Sequence, residues 1–465
     1  MEDFTASCQR LDTLLGVGRN FDVLGRNITV GARRGRLWVV VGFVKDELVE
    51  RLVGNLQRLD TTRCPTAETL IAHSINIADA VVERDETKLL TAVFSGKTLL
   101  MVEGYDGGIL LEAKTYPTRA VKEPDTSKVL RGSHDGFTEN IMQNAALLRR
   151  RIRTPELTLE RHQIGGRSAC DVALVYLKGE AEEAQLDILR RKLKAIDVGS
   201  IAMSQESVAE CIVPKQWWNP FPKIRYTERP DVATAAVMEG GILLMVDNSA
   251  SLMVLPTSLF SFAEEVNDYY FPPLIGSYLR IVRLTVLFLT VFITPLWYLL
   301  VKDPARLHEN FHFLLIEDEY FVPLIVQLLL VEFIIDVLKL ASLNTPDALS
   351  NSFSMLGALI LGDFAVQARW LVAEVLVYMA FVAVAGYAQH SYEMGYACKL
   401  VRMSLLILIW LFDIWGFAIG VVLSIALIAS TKTVVGKGYL YPLVPFNGKQ
   451  LRRIMRRRPI SKENT

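Results

Sequence analysis

The feature that most constrains this chain is how unevenly its apolar residues are distributed. Lys+Arg and Asp+Glu each number 50 among 465 residues, yet the mean hydropathy is +0.29. Those values are compatible only if polar and apolar residues are segregated along the sequence. Residues 1–277 read as soluble protein, and most of 278–430 reads as compatible with hydrocarbon. Four stretches, Ile281–Val301, Phe321–Ala341, Trp370–Gln389 and Met403–Ala429, are close to the roughly 20 residues that cross a ~30 Å apolar core. Thr294-Pro295 is expected to bend the first. A fifth, Phe353–Val366, is too short to cross and reads as a re-entrant or tilted segment inside the bundle.

The basic residues between Arg283 and Lys449 fall near segment ends: Lys302, Arg306, Lys339, Arg369, Lys399, Arg402, Lys432 and Lys437. Lys449, Arg452, Arg453, Arg456, Arg457 and Arg458 then crowd the tail, which the positive-inside bias places in the cytoplasm. The opening residues lack a basic segment followed by an apolar one, so the N-terminal region is expected on the same side. Both termini inside requires an even number of crossings, and four fits.

Several acids sit inside these stretches. Glu332 lies near the middle of the second, with Asp336 one turn on along the same face, and Asp413 lies near the middle of the last. Asp363 follows Gly362 in the short segment, and Glu374 is one turn into the third. A carboxylate at the bilayer centre costs about 2.5–3.5 kcal/mol even on the lenient scale. With no Lys or Arg expected at mid-membrane to neutralise them, these acids are either protonated or line a polar path; Asp336 and Glu374 could also snorkel to an interface. Uncompensated acids favour cations. Gly357-Ala358 and Gly362 allow close helix approach, and Leu359-Ile360-Leu361 between them reads either as a hydrophobic gate or as ordinary packing.

The soluble part alternates β-rich and helical runs. Leu37–Phe43 is continuously apolar, as in a strand buried on both faces, and Lys45–Leu59 carries leucines at helical spacing. Thr98–Val102 and Ile109–Leu111 flank a Tyr105-Asp106-Gly107-Gly108 turn, a hairpin. A strand at Asp171–Leu177, a helix at Glu182–Ala195 and a short run near Val208–Val213 lead to a second hairpin at 240–256, which echoes the first. Either the echo marks two related subdomains, about 20–115 and 160–256, or two hairpins share common β-formers. The expected division is 1–130, a linker helix in 131–159, a second subdomain in 160–277, a membrane domain in 278–430 and a basic tail in 431–465. The fold class is therefore an α/β cytoplasmic region of two subdomains plus an α-helical polytopic membrane domain.

Arg149-Arg150-Arg151 closes a strong helix former and reads either as a phosphate or headgroup contact or as a solvated linker face. Trp217-Trp218, beside Pro220 and Pro222, reads either as an interfacial anchor or as a packed loop. The five cysteines are scattered, His308 and His312 lack a third metal ligand, and the motifs of nucleotide, zinc-protease or serine-hydrolase sites are missing. No enzyme chemistry, cofactor, metal or nucleic-acid partner is expected.

Tyr116–Arg119, Glu123–Asp125, Arg131-Gly132, Asp135–Asn140, Leu147–Ile152 and Gly165–Ser168 with Asp171 and Tyr176 resemble the spore germinant-receptor A-subunit family. Trp218–Pro222, Arg225–Val232 and Tyr439–Phe446 look closer to one branch of it. The resemblance spans about residues 20–458. It implies a multi-pass protein of the inner spore membrane whose relatives resemble nutrient-gated channels, with A subunits assembled in a ring around a central pore that releases ions. The branch looks like an accessory channel that amplifies the germination signal, working in the bilayer with itself and with another membrane protein of that machinery. The family's membrane acid carries over to Glu332 and its pore segment to Gly357–Gly362; Asp363 stands where an amide is usual. The competing readings are an A subunit of a nutrient-sensing receptor and an ion-coupled small-molecule carrier.

Overall fold

The computed structural model describes residues 4–60, 64–77, 79–114, 132–262, 265, 267–304, 309–316, 319–344, 365–389, 391–436, 438–448 and 451–452. The chain divides into two compact units. One comprises residues 1–214, 224–257 and 433–437; the other comprises 215–223, 258–432 and 438–465.

The first unit holds two five-stranded antiparallel sheets. The strands are β1 (Val23–Val30), β2 (Arg33–Val40), β3 (Ala80–Glu83), β4 (Thr98–Val102), β5 (Gly108–Leu111), β6 (Leu157–Ile164), β7 (Cys170–Leu177), β8 (Arg225–Thr227), β9 (Ile242–Val246) and β10 (Leu252–Leu255). The first sheet runs β1-β2-β4-β5-β3 and the second β6-β7-β9-β10-β8. Counted within each half, the two orders are the same, so the echoed hairpins, β4–β5 and β9–β10, occupy equivalent places. The first hairpin turns at Gly107, whose φ of 87° suits glycine; a Cβ there would meet the Glu83 carbonyl oxygen at 2.8 Å.

Each sheet is covered on both faces, which explains why the central strands read as unbroken apolar runs. Leu37 and Val39 pack against α2 (Asp46–Gln57) and α3 (Ala67–Ser74), while Trp38 and Val40 face α1 (Phe4–Leu15) and α4 (Glu86–Phe94). In the second sheet Leu174 and Leu244 face α6 (Glu183–Lys194) and α7 (Ser204–Ile212). Val175 and Leu243 face α5 (Ile141–Arg151) and α8 (Pro230–Met238). The run near Val208–Val213 is thus the end of a helix.

The arginine run does not belong to a solvated linker. α5 is a core helix, started by Asn140, whose side chain accepts from the amides of Met142 and Gln143. Arg149 is fully buried: Nε donates to Asp22 at 2.7 Å and Nη1 to the Leu157 carbonyl at 2.8 Å. Arg151 pairs with Asp135 at 2.7 Å, and Arg150 is exposed at the helix end. Burial selects one arginine of three for its bidentate fork.

A second polar cluster ties the two halves of this unit. Arg190 grips both oxygens of Glu160 at 3.0 Å, and Tyr176, itself held by Arg19 at 2.6 Å, donates to Glu160 at 2.7 Å. Burial pushes the Glu160 carboxyl up, but the bonds from Arg190 and Tyr176 and the charges of Arg190 and Arg19 outweigh it, holding it below its ordinary value near 4.5. Because the folded carboxyl titrates below the unfolded one, its contribution is complete above the unfolded value and fades as pH falls through the folded one. Glu160→Gln is therefore expected to melt below the wild type at neutral pH, with the gap closing below about pH 4. Melting the full-length protein across that range checks this.

The second unit is helical: a single turn α9 (Asn267–Tyr270), then α10 (Pro273–Lys302), α11 (Leu324–Asn344), α12 (Ala373–Tyr387) and α13 (Tyr392–Ala429). α10 has 30 residues with Pro295 inside, about 45 Å at about 1.5 Å per residue. Its first turns carry Arg280 and Arg283, paired with buried Asp268 at 3.2 and 3.0 Å. By length and composition α10 and α13 are apolar enough to cross a membrane, with hydropathies of 2.2 and 2.4, and α12 is a shorter apolar helix.

α13 is not one straight rod. Asp413 has φ 52° and ψ −129°, outside helical values. A Cβ built on Gly416 would lie 1.9 Å from the Leu408 carbonyl oxygen, and one on Gly420 would lie 2.5 Å from Leu405 Cδ2. Residues so far apart along a helix touch only if the chain folds back, so 392–412 and 414–429 are antiparallel arms hinged at Asp413. The expectation of a single straight span over Met403–Ala429 is corrected accordingly.

Candidate functional site

The helical unit concentrates its charges between α11 and α13. Glu332 and Asp336, one turn apart on α11, face Lys399 and Arg402, one turn apart on α13. Ser391 starts α13 by accepting from the Met394 amide at 3.2 Å, so the helix begins well before Met403 and carries both cations inside it. Arg402 Nε donates to Glu332 Oε1 at 2.6 Å, with Nη2 of the same side chain at 2.5 Å. Nη1 donates to the Thr290 carbonyl of α10 at 2.7 Å. Lys399 Nζ donates to the Glu332 carbonyl at 2.9 Å, lies 3.4 Å from Oε2, and also bonds the Asp336 carboxylate.

This overturns the expectation of acids without cationic neighbours. Glu332 is 1% exposed and Arg402 2%, so the charges leave water together and neutralise each other. The cavity beside them, also lined by Thr290, Lys339, Tyr392 and Tyr396, measures about 30 Å³, room for a water molecule or two. At that size the cavity is not a wide conduit.

Asp413 is placed elsewhere. It stands at the hairpin tip, 64% exposed in its side chain and bonded to Lys302, the last residue of α10. Trp410 and Trp415 flank it, 53% and 74% exposed. It thus lies level with the end of α10, away from the mid-helix cluster at Thr290, and the expectation of a mid-span acid without a cation fails here too. The reason is the fold-back, which brings the centre of an apolar run to an end of the bundle.

The remaining candidates separate. Gly357, Leu359, Ile360, Leu361, Gly362 and Asp363 lie outside the described residues. Trp217 is 96% and Trp218 51% exposed, on a loop tied to the helical unit through Asn219, which donates to Thr431 Oγ1 at 2.8 Å. Arg149, Arg150 and Arg151 belong to the first unit. Among the described residues no group of three or more His, Cys, Asp or Glu is placed to hold a metal ion. Sequence reading also missed Gln327, fully buried in α11, which accepts from the Val372 amide at 2.9 Å and so orders the start of α12. Its signal was an amide inside an apolar helix.

Comparison with known proteins gives these helices a context. The chain is 34% identical over 443 residues to stage V sporulation protein AF of Bacillus subtilis, covering 95% of this chain and 90% of that protein. It is 26% identical over 464 residues to spore germination protein KA of the same organism, covering 96% and 83%. Among solved structures, the N-terminal domain of the A subunit of the Bacillus megaterium spore germinant receptor GerK3 aligns with TM-score 0.40 and 24% identity, over 54% of this chain and 94% of that one. The match to the Bacillus/Clostridium GerA spore germination proteins runs from residue 9 to residue 465 and takes in both the sheets and the paired charges of α11 and α13, so the chain belongs to that family.

Proposed function

We propose that this chain is a multi-pass subunit of the inner spore membrane that assembles with copies of itself and passes cations, amplifying a germination signal. The observation that carries the reading is the family match over residues 9–465, supported by the relation to stage V sporulation protein AF at 34% identity. The reading keeps both termini in the cytoplasm on the strength of the basic tail from Lys449 to Arg458, and it assigns Trp217 and Trp218 to the headgroup region. The helical unit limits how ions would pass. Its buried acids are neutralised within one subunit, so in this reading the path forms between subunits, which meet through apolar faces such as that of Phe333, Val337 and Leu340, exposed in a single copy.

The purified full-length protein is expected to form an oligomer in mild detergent and to release potassium from liposomes without any added metabolite. Intact oligomers that hold the gradient would overturn the proposal. The resemblance to spore germination protein KA favours a second reading, an A subunit of a nutrient receptor. Release that begins only when partner subunits and a nutrient are supplied would select it.

A further inference from the structure

The hairpin tip of α13 holds an ammonium group in a ring of oxygens. Asp413 leaves helical φ/ψ, and the carbonyls of Ile409 and Trp410 lie in the turn just before it. Those carbonyls end the first arm, where the helix dipole is negative. Lys302 Nζ reaches across from α10 and donates to both, at 3.2 Å and 3.0 Å, while also bonding the Asp413 carboxylate. Two neutral oxygens and one carboxylate thus converge on one point, and the positive charge filling it arrives on a flexible stem.

We infer that this tip is a monovalent-cation site in which Lys302 stands in for the ion. The donor set is oxygen only and carries one negative charge, which suits sodium, potassium or ammonium; a divalent ion normally recruits more carboxylates. Backbone carbonyls at a helix break with a nearby acid are a recurring way to bind such ions. The Lys302 side chain is 32% exposed and that of Asp413 64%, so water and an ion can reach these oxygens once the ammonium is gone. The break needs no lysine to exist, because Gly416, where a Cβ would meet Leu408 at 1.9 Å, permits the fold-back by itself. The inference stands whether or not the protein conducts.

Lys302→Met keeps the stem and removes the charge. In detergent at constant ionic strength, this variant is expected to melt several degrees higher in potassium or sodium than in choline, with a saturable dependence on the smaller ion. The wild type, whose site is filled, should not distinguish the salts, and Lys302→Met/Asp413→Asn should lose the distinction. Lys302→Arg controls for loss of the stem's packing. A Lys302→Met protein equally stable in all three salts overturns the inference, because the lysine is then only a helix cap. So does one that cannot be purified in any salt while Lys302→Arg can, because a free ion then fails to replace the ammonium.

Discussion

Arg402→Met is expected to cost about 3–5 kcal/mol of stability and to deplete the folded protein from membranes. The guanidinium is almost fully buried and its three contacts are all inside the helical unit: Glu332 through Nε at 2.6 Å and Nη2 at 2.5 Å, and the Thr290 carbonyl through Nη1 at 2.7 Å. Removing it leaves the Glu332 carboxylate buried beside Lys399, which is 3.4 Å away and already shared with Asp336. Most of the loss is thus the penalty of an unpaired charge rather than the worth of the pair. That distinction gives the test its edge. Glu332→Gln/Arg402→Met removes both charges, and it should recover a large part of the stability lost in Arg402→Met alone. A double-mutant cycle on melting in detergent measures the coupling. If Arg402→Met melts with the wild type, or the double variant is worse than the sum of the singles, the network is not a neutralised buried core.

Both the presence of a problem and the wrong solution to it were legible in the sequence. Glu332 inside an apolar run is visible to any reading by composition, and it does need compensation. Its partners were hidden by a boundary: Lys399 and Arg402 lie at the edge of the apolar stretch, and only the helix start at Ser391 puts them two turns inside. Ser391 is a good first-residue signal for a helix, and Lys399 and Arg402, three apart, share a helix face as do Glu332 and Asp336, four apart, so the pairing was available in principle. In the soluble unit the central strands announced themselves because both faces are covered, as at Trp38 and Leu37. The outer strands did not: β6 reads Leu-Thr-Leu-Glu-Arg-His-Gln-Ile, mostly polar, and gains its place from pairing with β7 along its whole length. Its neighbour on the sheet, not its own composition, makes it a strand. The burial of Arg149 was equally invisible, since its partner Asp22 is remote in sequence and nothing local distinguishes it from Arg150.

Gly416→Ala is the sharper test of the fold-back at Asp413, because one methyl group should suffice. The Cβ would sit 1.9 Å from the Leu408 carbonyl oxygen and 2.5 Å from its carbon, and backbone cannot rotate out of the way as a side chain can. The arms must separate, which costs at least the about 1–3 kcal/mol typical of overpacking and also weakens the contact that lets Lys302 reach Ile409 and Trp410. Gly420 is the internal comparison. A Cβ there meets Leu405 Cδ2 at 2.5 Å and Leu408 Cδ1 at 3.2 Å, the far ends of flexible side chains, so Gly420→Ala should be milder. The Gly-Phe-Ala-Ile-Gly spacing is the small-residue pattern that lets helices approach closely, and here the helix it approaches is the preceding arm of the same chain. Melting of the two variants in the same detergent should rank Gly416→Ala below Gly420→Ala and both below wild type. A Gly416→Ala protein as stable as wild type would mean that α13 runs straight through Asp413, and the tip with its captive lysine would not form.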